Sequence, residues 1–140
     1  MPDAERVRLV LPSSPRAELL AEQALEDLGT RAGFSRDTLD EVKLAVLEAC
    51  LNALEYGLGE VEVEFVAHAG DTPWLEVYVE DHGPGFDPSS VPAPELETKL
   101  RASRKRGWGL ELMRRLMDEV EVQSRPGLTR VRMTRGRGRN

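Results

Sequence analysis

Cysteine is nearly absent from this chain of 140 residues: Cys50 is the only one. A lone thiol excludes an internal disulfide. Because Cys50 falls among the apolar positions of a helical stretch, it reads as a small core hydrophobe in a reducing compartment. Histidine is scarce too, with only His68 and His82. These two are far apart and no C-x-x-C occurs, so a structural zinc site has no support. No apolar run approaches the length of a membrane span, and the N-terminus carries no signal-peptide core. The expected location is the cytoplasm. Positive charge is also in deficit: the formal net charge is −6, which argues against general affinity for nucleic acid or an anionic membrane. Basic residues do gather late, at 101–106 and 135–139, which leaves local anion binding open. There is no internal repeat and no Walker A loop, since G-x-x-x-x-G-K-[ST] occurs nowhere.

What is present suits one globular domain. Hydrophobic residues make up 40% and charged residues 31% of the chain, enough for a core at this length. Val7, Leu9 and Leu11 alternate with Arg6 and Arg8 and predict a strand over 5–11. Ser14 followed by Pro15 predicts a helix start, with Leu20, Ala21, Ala24, Leu25 and Leu28 on its apolar face and an end near Gly33. Ser35 is the expected cap of a second helix, with Phe34 stapled against Leu39. Alternation over 61–67 and 74–80 predicts an antiparallel strand pair, with His68 in a solvated turn between them. Residues 88–106 read as a mobile surface segment. Leu110, Met113, Leu116, Met117 and Val120 mark a third helix. Strands over 119–124 and 129–134 close the domain. The expected fold is α+β: a two-layer sandwich with a mixed, mostly antiparallel sheet and helices on one face. The domain spans 1–134, and 135–140 is a flexible basic tail.

The second helix is the unusual element. Wound at 3.6 residues per turn, it places Glu41, Glu48, Asn52 and Glu55 on one stripe while nearly all other positions are apolar. Buried carboxylates and amides are costly unless paired. The stripe therefore either faces a polar ligand or metal in a pocket, or is the solvent edge of a core helix. Asp81-x-Gly83-x-Gly85 follows a strand. There a carboxylate can accept a hydrogen bond from an amino group such as adenine N6, and glycine admits close approach of a ligand; an ordinary Asp-Gly turn has the same pattern. Gly107-x-Gly109 opens a helix whose free N–H groups favour phosphate, with Arg101, Arg104, Lys105 and Arg106 just upstream. A solvated basic loop is the plain alternative.

Taken in order, Glu48-x-x-x-Asn52, Asp81-x-Gly83-x-Gly85 and Gly107-x-Gly109-Leu110 resemble the N, G1 and G2 boxes of the GHKL ATPases, which include gyrase, the ninety-kilodalton heat-shock protein, histidine kinases and mismatch-repair ATPases. The sequences 41–53 and 116–120 narrow the resemblance to the anti-sigma factor serine-protein kinases of bacterial partner-switching systems. It runs from about Val7 to Thr134. The resemblance implies the GHKL ATPase fold, with ATP and Mg²⁺ as cofactors. It assigns the metal to Asn52, general-base catalysis to Glu48 and adenine recognition to Asp81, with Gly83 and Gly85 giving the base room. Residues 88–106 become an ATP lid. Lys105, Arg106, Gly107, Gly109 and Leu110 meet the phosphates, and Thr129 lies near the adenine end. Two features depart from the pattern: Tyr56 stands where many relatives carry histidine, and the run before Gly107 is unusually basic. The implied function is an ATP-dependent protein-serine kinase that phosphorylates an anti-anti-sigma (STAS-type) protein and sequesters a sigma factor. A homodimer is a further implied partner. Rival readings are an ATP-binding regulatory module without turnover, and a switch-type kinase acting on a scaffold STAS protein. The catalytic half of a histidine kinase is disfavoured, because neither histidine sits on an expected helix.

Overall fold

The alternation and periodicity read above become eight elements in a computed structural model that describes residues 4–56, 59–82 and 109–136. They are β1 (Ala4–Leu11), α1 (Glu18–Arg31), α2 (Arg36–Tyr56), β2 (Val61–His68), β3 (Trp74–Asp81), α3 (Gly109–Leu116), β4 (Glu119–Arg125) and β5 (Leu128–Gly136). The sheet order is β1-β2-β3-β5-β4. Every described pairing is antiparallel, so the expected α+β sandwich is present without a parallel pair. Period-two alternation decides the faces. On β3, Leu75, Val77, Val79 and Asp81 are buried toward the helices, and Trp74, Glu76, Tyr78 and Glu80 point the other way. Val61, Val63 and Phe65 of β2 and Met133 of β5 join the same core as Leu25, Leu28, Val42, Val46 and Met113 of the helices. No helix among the described residues is long and apolar enough to cross a membrane.

The start of α1 differs from expectation. Ser14 does not cap it: the helix begins at Glu18, and Ala17 precedes it without a side-chain cap bond. Arg16 takes a left-handed conformation, φ 64°, which interrupts any helix begun at Pro15. Ser13 instead donates its hydroxyl to the Gly59 carbonyl at 2.8 Å, tying the exit of β1 to the entry of β2. With the later start, Ala17 takes the inward position and Leu20 is left exposed. The C-terminus of α1 behaves as predicted. Gly33 has φ 87°, Phe34 N–H donates to Gly29 O and Gly33 N–H to Thr30 O, the paired bonds of a Schellman motif.

Ser35 caps α2 as expected, its Oγ accepting from Thr38 N–H at 3.2 Å. Leu39 and Phe34 are both buried in the core beside it. A Cβ on Gly29 would lie 2.5 Å from Leu39 Cδ1, so glycine is what lets α1 approach α2 this closely. The helix is not buried all round: Leu44 is exposed, and Lys43 reaches Glu26 of α1 at 3.1 Å.

Two further expectations are corrected. His68 is not in a solvated turn but ends β2, stacked on Trp74 with ring centroids 4.0 Å apart and bonded to Glu76 at 2.7 Å. Arg135 and Gly136 belong to β5 rather than to a tail. Arg135 is only 4% exposed. Its guanidinium pairs with Glu41 of α2 at 2.8 Å and donates to the Leu116 carbonyl at the end of α3. Two further hydrogen bonds reinforce this corner: Asp118 N–H donates to Thr134 O, and Gly136 N–H donates to the Asp118 side chain at Oδ2. The alternation of Val131, Met133 and Arg135 continues the strand, and a cation at a helix C-terminus is favourable, so β5 holds its register two residues beyond the hydrophobic run.

Candidate active site

The core face of α2 is built from Leu39, Val42, Ala45, Val46, Ala49, Cys50 and Ala53, all at most 7% exposed. Packing that face turns Glu48 and Asn52, one turn apart, to the helix's edge, where both are partly buried. Glu41, lower on the same stripe, is taken by Arg135. Asn52 has no such partner: its Oδ1 is buried and accepts no hydrogen bond among the described residues. An unsatisfied buried acceptor costs about 1–3 kcal/mol. That cost is explained if the oxygen is reserved for a ligand. Cys50 carries no chemistry; burial pushes its thiol up to about 12, and a neutral buried thiol is inert.

The second part of the site lies at the end of β3. Asp81 is 6% exposed and faces the helix layer. In the sheet register its flanking partners are Val61 on β2 and Thr129 on β5. Thr129 is in turn opposite Ser124 of β4, and their hydroxyls are 2.8 Å apart. Asp81, Thr129 and Ser124 thus form one polar row on the inner face, at the end of the sheet where the hydrophobic row stops. Next along the chain, His82 turns away and pairs with Glu62 at 2.9 Å; that hydrogen bond is the main cause holding the imidazole above its ordinary pKa.

The third part is α3, which packs on α2; its Met113 and the following Met117 are buried in the core. Gly109 is its first residue and Leu110, partly buried, its second. The structure therefore brings Glu48 and Asn52 onto one helix edge, Asp81 and Thr129 onto one sheet row, and sets Gly109 and Leu110 on the helix leaning against α2. Gly83, Gly85, Lys105, Arg106, Gly107 and the expected lid 88–106 lie outside the described residues. No group of three or more His, Cys, Asp or Glu side chains gathers as a metal cluster among the described residues. A divalent cation that takes a single amide oxygen from the protein would need no such cluster. The sequence alone assigns Ser124 no role and places Arg135 in a basic tail. Strand alternation carried both signals: Ser124 shares parity with Val120 and Val122, and Arg135 with Val131 and Met133.

Comparison with known proteins gives the family. The model of the histidine kinase-like ATPase domain matches residues 11–135. The serine-protein kinase RsbW of Bacillus velezensis is 34% identical over 139 residues, spanning 92% of this chain and 84% of the relative. RsbW of Bacillus subtilis is 33% identical over 143 residues, spanning 95% and 86%. RsbW of Listeria monocytogenes is 30% identical over 136 residues, spanning 91% and 85%. The crystal structure of the RsbU and RsbW domains of a Mycobacterium tuberculosis protein superposes with a TM-score of 0.65 at 18% identity, over 95% of this chain and 32% of that one, a likeness of fold. The chain belongs to the histidine kinase-like ATPase family and, within it, to the RsbW serine-protein kinases.

Proposed function

We propose that this protein is an ATP-dependent protein-serine kinase whose substrate is a serine of an anti-anti-sigma (STAS-type) protein, and that it holds a sigma factor when that antagonist is phosphorylated. The observation that carries the reading is Asn52 Oδ1, buried without a partner among the described residues, one turn from the Glu48 carboxylate. Asn52 would supply that amide oxygen to Mg²⁺. When bound, the metal neutralises phosphate charge, which phosphoryl transfer needs more than covalent help. Asp81 accepts the adenine amino protons from the end of β3, with Thr129 beside it. Gly109 and Leu110, at the start of α3, turn N–H groups toward the phosphates; Lys105, Arg106 and Gly107 immediately precede them in sequence. Glu48 takes the proton of the incoming serine hydroxyl. The serine oxygen bonds to the γ-phosphorus as the bond to the β–γ bridging oxygen breaks, and ADP leaves. The setting is a cytoplasmic partner switch in which the kinase acts as a homodimer.

Glu48→Gln tests this assignment. Glutamine keeps the size and removes the basicity, so ATP affinity should change little while transfer falls by about 10²–10⁴-fold, the usual contribution of a positioned base. The measurement pairs a radiolabelled transfer assay on the cognate antagonist with a nucleotide titration. Full transfer by the variant would retire Glu48 as the base. Absence of transfer by the wild type, with ATP still bound, would favour a binding module.

A further inference from the structure

Resting on that reading, we propose that Ser124 sets the base selectivity of the nucleotide site by fixing the direction in which the Thr129 hydroxyl donates. Asp81, Thr129 and Ser124 occupy consecutive strands β3, β5 and β4 at directly opposed positions. Side chains so opposed have Cβ atoms roughly 4.5–5.5 Å apart, within reach of one another. The two hydroxyls are hydrogen-bonded at 2.8 Å. Chemistry then decides what this row can recognise. An ionised carboxylate only accepts, whereas a hydroxyl has one proton to donate and two lone pairs. A threonine hydroxyl free to rotate serves a donor or an acceptor equally well and discriminates little.

Adenine presents an amino donor at C6 beside an acceptor at ring N1. A 6-oxopurine, hypoxanthine or guanine, presents the reverse: an acceptor oxygen at C6 beside an N1–H donor. Selectivity for the first pattern needs an acceptor next to a donor. Asp81 is the acceptor. Thr129 becomes the fixed donor when Ser124 donates into its oxygen, because its own proton is then left for the base edge, directly or through one bridging water. The same arrangement opposes a 6-oxopurine twice, carboxylate against carbonyl oxygen and hydroxyl proton against N1–H. Ser124 touches no base in this scheme. It is a positioning residue that acts through Thr129.

The test compares ATP with inosine triphosphate, which differs only in carrying the 6-oxo pattern, by titration calorimetry on the full chain. Ser124→Ala should lower the ratio of ATP to inosine triphosphate affinity by about 3- to 10-fold, the worth of one oriented neutral hydrogen bond. Ser124→Cys, similar in shape but a weak donor, should do the same if the alanine variant folds poorly, and Ser124→Thr should restore the wild-type ratio. Thermal melts verify folding, and a merely structural defect would weaken both nucleotides together. A ratio within twofold of wild type in folded Ser124→Ala and Ser124→Cys overturns the role of Ser124 while leaving ATP binding intact. Failure of the wild type to bind ATP at all overturns the reading on which it rests.

Discussion

Replacing Glu76 by glutamine probes the most heavily bonded carboxylate of the outer sheet face. Its side chain is 12% exposed. His68 Nε2 lies 2.7 Å from one oxygen; Tyr78 OH donates to the other at 2.7 Å, and Arg132 donates to it through Nη2 at 2.7 Å and Nε at 3.1 Å. Burial by itself would raise the pKa, but the bonds from His68, Tyr78 and Arg132 outweigh it and hold the carboxyl at about 2, against 4.5 ordinarily. At 1.36 kcal/mol per pKa unit this is a folded-state preference for the charged form on the order of 3 kcal/mol. A depressed carboxyl contributes its stability in full above the unfolded pKa and loses it as pH falls through the folded one, here from about 4.5 down to about 2. Glutamine lacks the titration and offers donors where donors already crowd. Urea denaturation of both proteins at pH 5 and pH 3, a range below ordinary histidine titration, isolates the effect. The advantage of the wild type over the variant should shrink by about 2 kcal/mol across that interval. A difference independent of pH would refute the argument. Nucleotide affinity at pH 7 should not change, because Glu76 and Asp81 point to opposite faces of β3.

Two other perturbations follow from the site and its frame. Asn52→Ala removes a buried acceptor that has no partner among the described residues, so stability without nucleotide should hold or rise by about 1 kcal/mol, while ATP binding should lose its dependence on Mg²⁺; equal wild-type affinity in EDTA and in Mg²⁺ would remove the metal from Asn52. Glu41→Ala strands the Arg135 cation, whose side chain is 5% exposed, whereas Glu41 itself is 50% exposed. Its loss should cost about 1–3 kcal/mol, below a fully buried pair because water reaches one partner. Arg135→Met should cost less, and the double variant should match Arg135→Met within about 0.5 kcal/mol. Chemical denaturation measures all three, and a Glu41→Ala protein as stable as wild type would show that the pair is idle.

Local rules sufficed wherever a residue answers mainly to its sequence neighbours. The period of two over β2 and β3, the Ser35 cap and the Gly33 termination were legible because each depends on backbone bonds within a few residues. The helix edge of Glu48 and Asn52 was legible because helical spacing alone makes them neighbours. What local rules could not supply were contacts between residues distant in sequence. Arg135 reads as a basic tail until Glu41, from the other end of the chain, and the Leu116 carbonyl are placed around it. His68 reads as a turn residue until the β2–β3 register stacks it on Trp74 and hands it Glu76. Ser124 is one polar residue among many until β4 and β5 pair and align it with Thr129 and Asp81. Helical and strand periods are short-range properties of the backbone, whereas the partner that satisfies a buried charge or orients a hydroxyl is chosen by strand register and helix docking, which exist only in the folded chain.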